Sequence, residues 1–146
     1  MHTSSPLKKI FLAIIWTAFC VAPLTAFEES ATGNKILLRT DTSWNGAPIQ
    51  PQTIAHPEVT LVRIKIPPKK SLPIHQHTMI NVAYVVSGTL CVKTESGKTI
   101  ILKKGDSINE VVDTWHHGEN IGDDEVELLV FYVGEKGTPL SKLKTP

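Results

Sequence analysis

Two histidines one residue apart, His75 and His77, are the residues in this sequence best placed to do chemistry. On an extended segment alternate side chains share a face, so their imidazoles stand side by side. A third histidine, His116, lies in a second valine-bearing segment of similar character, and an antiparallel barrel can bring such segments together. Three neutral imidazoles around one point suit a divalent transition metal better than they suit a core. The first expectation is therefore a metal centre inside a small β-barrel.

The elements that must position these residues follow from pattern. Across residues 59–66, Arg63 and Lys65 share one parity while Val62, Ile64 and Ile66 share the other, which predicts a half-buried strand. Pro67 and Pro68 end it, because proline removes ladder donors and fixes the backbone. Residues 82–86, 89–94, 99–102, 107–112 and 126–133 are further β-forming runs, punctuated by turn signals such as Ser87-Gly88 and Lys104-Gly105-Asp106. Short strands at this spacing predict an all-β sandwich or barrel, with 126–133 as a central strand. Residues 36–40 predict an outer strand. Residues 41–57, with Trp44 and three prolines, predict an irregular connection in which Trp44 covers one end of the barrel or meets a partner subunit.

The 146 residues allow one domain. Lys8 and Lys9 precede an almost wholly apolar run from Ile10 to Ala22, and Pro23 and Ala26 then supply a helix break and a small residue for cleavage. This predicts a secretory signal peptide, the run being shorter than the roughly 20 residues a membrane span needs. A lipid anchor at Cys20 fits poorly, since Phe19 stands where a small residue is required. The expected organisation is a signal peptide over 1–26, an N-terminal arm and outer strand over 27–58, a barrel core over 59–134 and a C-terminal tail over 135–146, lying over a neighbour or mobile. The mature protein is expected in the periplasm or outside the cell, with no stable membrane insertion.

Cleavage leaves Cys91 as the single cysteine, which rules out an intramolecular disulfide; between Leu90 and Val92 it reads as a small buried hydrophobe. The formal charge of +1 becomes −1 without Lys8 and Lys9. Nucleic acid is not expected as a partner, because the lysines are scattered in pairs rather than gathered on one face.

The histidines also lie in two longer motifs. His75, His77, Asn81 and Gly88 occupy the places of a His-x-His, glutamate and glycine motif, with asparagine where glutamate is usual. Gly105, His116 and Asn120 fall at the glycine, histidine and asparagine places of a second motif, in which Val111 and Asp113 replace proline and an inner glycine. Together these motifs resemble the cupin superfamily. The resemblance implies a double-stranded β-helix, or jelly-roll barrel, in which His75, His77 and His116 bind one metal, whether iron, manganese, nickel or zinc. It also implies a homodimer. Asn81 brings a neutral carbonyl oxygen and an amide donor, and is read either as a fourth ligand or as a group that orients a histidine or bound ligand.

Other polar residues receive plainer readings. Asn120 is expected in a turn or network, and Glu110 and Asp106 are expected to be exposed near the Gly105 turn. His117 should face away from His116, His56 should do nothing chemical, and Tyr84 should line the cavity or fill the core. Without the family glutamate no strongly placed general base is evident. The functional expectation is an exported metal-binding cupin with dioxygenase-like chemistry on a small organic substrate. Binding of a small ligand without turnover, metal-dependent isomerisation or decarboxylation, and a metal-free barrel remain open beside it.

Overall fold

In a computed structural model the protein is described from residue 33 to residue 145. The expected signal peptide over 1–26, and residues 27–32 of the arm, lie outside the described residues. Every element belongs to the compact unit Lys35–Pro146, and among the described residues all regular structure is β-strand.

The first strand, β1 (Pro57–Ile66), shows the alternation its sequence dictates, with Val62, Ile64 and Ile66 turned inward and Arg63 and Lys65 outward. It pairs along its whole length with β8 (Val126–Glu135), from Pro57 opposite Glu135 to Ile66 opposite Val126. The other neighbour of β8 is β3 (Asn81–Ser87), which in turn pairs with the short β6 (Ser107–Asn109). The second sheet runs β5 (Thr99–Lys103), β4 (Thr89–Thr94), β7 (His116–Asn120), β2 (His75–Gln76) and β9 (Lys142–Leu143). All ladder neighbours are antiparallel.

Ile66, Ala83, Val85, Leu90, Val92, Leu102, Ile108, Val126, Leu128 and Val130 form the shared apolar core. Strands of this composition fold this way because each contributes an alternate apolar row that only a second sheet can cover. The chain passes from β3 to β4 through Gly88 alone, at φ 80°. A Cβ there would stand 2.7 Å from Val126 Cγ2 and 2.8 Å from Val126 Cα, so both the backbone conformation and the space exclude a side chain.

Two segments differ from the expectation. Residues 36–40 form no strand; Ile36 and Leu37 are exposed and lie beside Ile100 and Ile101 of β5 without joining a ladder. A short apolar run becomes a strand only where an edge offers matching donors and acceptors. The expected strand over 107–112 stops at Asn109, where the chain turns to cross from β6 toward β7. Within the C-terminal tail, β9 pairs with the histidine-bearing β2, placing Leu143 opposite His75 and Lys142 opposite Gln76.

Candidate metal centre

Three backbone placements bring the histidines together. His75 on β2 is the direct cross-strand partner of His116 on β7. His77 follows two residues after His75 and is held by a parallel bridge to Val112. The ring centroids form a near-regular triangle, 4.9 Å from His75 to His77, 4.5 Å from His75 to His116 and 5.1 Å from His77 to His116. Their ligand nitrogens all lie within 4.8 Å of one another. His77 and His116 are buried, and His75 is partly open.

Each ring donates its Nδ1–H to a main-chain carbonyl 2.8 Å away: His75 to Pro73, His77 to Leu140 and His116 to Thr114. A carbonyl oxygen can only accept, so the proton of each neutral ring sits on Nδ1 and the Nε2 lone pair is left free. Burial reinforces this state. It lowers the pKa of all three rings, taking His77 down to about 4, against a smaller upward pull from the carbonyl each ring bonds. At neutral pH the site is three uncharged imidazoles with locked tautomers, the condition a transition metal requires of histidine ligands. The described residues thus fit a divalent transition metal on His75, His77 and His116.

Asn81 is buried beside them. Its Nδ2 donates to the Met79 carbonyl at 3.3 Å, and its Oδ1 has no hydrogen-bond partner. Asn81 and the three histidines line one cavity of about 30 Å³, with apolar walls that include Leu72, Leu90, Val92 and Leu128.

Glu110 also lines this cavity, contrary to the expectation of an exposed turn residue. It follows β6 with the same inward parity as Ile108, and its N–H donates to the Asn81 carbonyl at 3.0 Å. Its Oε2 is buried without a hydrogen bond, 3.8 Å from His116 Nε2. Burial pushes the carboxyl pKa up to about 7. The His75 ring, the Trp44 indole and the Val111 N–H oppose that rise, although the indole N–H forms no hydrogen bond.

Tyr132 on β8 is the second residue that sequence reasoning missed. Its ring meets His77 edge-on at a centroid distance of 5.5 Å, and burial, followed by the charge of Glu110, pushes its pKa up to about 12. Tyr84 has the opposite parity to Asn81, Ala83 and Val85, so it lies on the outer side of β3 and does not line the cavity.

The remaining residues stand as follows. Asn120 is a network residue: its Nδ2 donates to Ile66 and Asp124 carbonyls at 2.8 Å each, and its Oδ1 accepts from the Gly122 N–H at 2.9 Å. Asp106 is exposed, and its Oδ2 accepts the Lys103 N–H within the Gly105 turn. His117 points away from the cavity, and His56 pairs with Glu135 at the surface. Cys91 is buried and unbridged. Trp44 packs against the core beside Asn109, to whose carbonyl its main-chain N–H donates at 3.0 Å.

Residues 62–132 match the family described as Cupin domain. No curated protein matches the sequence significantly. Among solved structures, the chain is similar to DMSP lyase DddQ from Ruegeria pomeroyi, with a TM-score of 0.53, 20% identity, and coverage of 69% of this chain and 48% of that one. It is similar to the polyketide cyclase RemF from Streptomyces resistomycificus, with a TM-score of 0.51, 19% identity and 63% of each chain covered. It also resembles the oxalate decarboxylase of Lactobacillus farciminis, with a TM-score of 0.51, 19% identity, and 58% of this chain and 26% of that one covered. The chain spans less than two thirds of the length of each, and at these identities the likeness is one of fold. Residues 62–132 accordingly match the Cupin domain family, and the all-β architecture is of the cupin jelly-roll type.

Proposed function

We propose that this chain is an exported, metal-dependent cupin enzyme that carries out oxygenase-type chemistry on a small, metal-chelating organic substrate. The observation that supports this reading is the set of three Nδ1–H bonds to carbonyls, which leaves three Nε2 lone pairs free at neutral pH. Bound iron or manganese would supply redox capacity toward dioxygen, and zinc or nickel would supply Lewis acidity.

The chain's own residues have separable tasks. Leu72, Leu90, Val92 and Leu128 keep bulk water from the histidines, and the carbonyls of Pro73, Thr114 and Leu140 hold the rings. Glu110 brings a buried carboxyl to the same cavity, its Oε2 3.8 Å from His116 Nε2 and without a hydrogen bond. The inner cavity admits only the chelating end of a substrate. A second reading, ligand binding without turnover, is supported by the small, apolar-walled inner cavity.

Elemental analysis of untagged protein, beside a His75→Ala/His116→Ala variant, tests the reading. The expected result is about one equivalent of a transition metal in the parent and its loss in the variant. Oxygen uptake by the loaded protein with small hydroxy- and keto-carboxylates then separates enzyme from binding module. A parent that holds no metal after anaerobic reconstitution overturns the metal-dependent reading.

The proposal includes a homodimer. Val59, Leu61 and Phe131 are exposed on the outer face of the first sheet, where Leu61 and Phe131 are cross-strand partners. A Leu61→Lys/Phe131→Lys variant is expected to sediment as a monomer and the parent as a dimer; a monomeric parent rejects the interface. Export is supported by Lys8, Lys9 and the apolar run behind them, and cell fractionation tests it.

A further inference from the structure

We propose that Glu110 supplies a carboxylate donor to the metal of the three-histidine site, from the segment after β6, while residue 81 on β3 carries a neutral amide. The inference rests on the metal-dependent reading above and deepens it.

Glu110 and Asn81 are main-chain partners, joined by the Glu110 N–H to Asn81 carbonyl bond of 3.0 Å. Their side chains therefore enter one cavity from adjoining segments. The Glu110 main chain is fixed from a second direction, because Ser43 Oγ donates to its carbonyl at 2.8 Å. Its Oε2 lies 3.8 Å from His116 Nε2, the ring nitrogen that the Thr114 carbonyl leaves free, and has no hydrogen bond.

A carboxylate buried among apolar walls requires a counter-charge. Among the described residues no lysine or arginine forms a salt bridge with Glu110, and its nearest basic group is the neutral ring of His116. A divalent ion on three uncharged imidazoles provides that charge beside Oε2. Asn81 Oδ1 also lacks a partner, but an amide neutralises no charge, and its Nδ2 is tied to Met79.

The test uses the full chain and its Glu110→Gln variant, with Co(II) as the probe. Affinity is read by competition with a chromophoric chelator, the ligand field by the visible spectrum, and folding by thermal melts of both metal-free proteins. The expected result is a roughly 10- to 100-fold loss of Co(II) affinity, a shifted visible spectrum, and a metal-free variant that melts no lower than the metal-free parent. If the parent binds one equivalent and the variant binds with the same affinity and spectrum, Glu110 is no ligand and the three-histidine site stands without it. Weaker binding with an unchanged spectrum makes Glu110 a positioning residue and also overturns the inference. A variant that melts lower in the metal-free state assigns Glu110 a packing role and counts against it. A parent that binds no Co(II) removes the site itself.

Discussion

His75 and His116 are the register pair that joins β2 to β7, and their rings lie 4.5 Å apart at an interplanar angle of 52°. Antiparallel pairing thus sets two candidate metal-ligating side chains against each other before any ion is present. The same closeness makes the pair intolerant of two positive charges, and His77 adds a third ring at similar range.

The metal-free protein is therefore expected to lose stability in mild acid. His77 falls from an ordinary pKa of 6.5 to about 4 in the folded protein, so the unfolded chain takes up its proton first as pH drops. Its contribution, about 3 kcal/mol, is complete above pH ~6.5 and fades toward pH ~4. His75 and His116 act in the same direction. Glu110 acts oppositely: its pKa rises from 4.5 to about 7, so its contribution is present below pH ~4.5 and is lost as pH climbs to ~7. Urea midpoints of metal-free protein should fall between pH 7 and pH 4.5, and fall further in Glu110→Gln. A flat profile in both proteins would contradict three buried neutral rings.

Metal removal should lower the melting temperature. Ligand at about 100 times its dissociation constant stabilises by ~2.7 kcal/mol, which for a domain of this size is a shift of roughly 8–15 °C. Scanning calorimetry with and without a chelator measures it, and His75→Ala/His116→Ala should show no shift.

Shortening the chain after Thr138 should damage the site more than the barrel. It removes the Leu140 carbonyl that orients His77 and the β9 pairing that backs β2. Metal affinity is expected to drop roughly 10- to 100-fold, while far-ultraviolet circular dichroism keeps its β signature. Unimpaired binding by the shortened chain would show that His77 needs no such support.

Gly88→Ala and Gly105→Ala should differ in cost. Both residues have positive φ, at 80° and 94°, which penalises any side chain by about 1–2 kcal/mol. Gly105 has open space around it, whereas a Cβ on Gly88 meets Val126 and the Glu125 carbonyl at under 3 Å. Gly88→Ala should lose ~3 kcal/mol or more in urea unfolding, and Gly105→Ala about half that.

Much of this fold was legible in the chain because every long strand carries its own alternation. Val62, Ile64 and Ile66 declare their inward face without reference to anything else, and the three histidines sit at places where two such faces meet. Glu110 was harder. Its charge and nearness to the Gly105 turn suggest solvent, yet counting from Ile108 places it inward, and parity was the signal to follow. The same count separates Tyr84 from the cavity and puts Tyr132 in it. Leu140 could not be found this way, since it acts through a main-chain carbonyl, which every residue possesses. The outer strand expected at 36–40 failed for a related reason: pattern shows what a segment could pair with but not whether an edge is there to receive it.

The bond from His77 to Leu140 spans 63 residues. During synthesis, the chain through β8 can fold its two sheets while the third histidine still lacks the carbonyl that sets its orientation. Full-strength metal capture thereby waits until the chain extends past Leu140, after most of the barrel has been made, so tight loading belongs to a nearly finished protein rather than guiding its collapse. A released chain ending at Thr138 should accordingly hold metal roughly 10- to 100-fold more weakly than one carried on through Leu143.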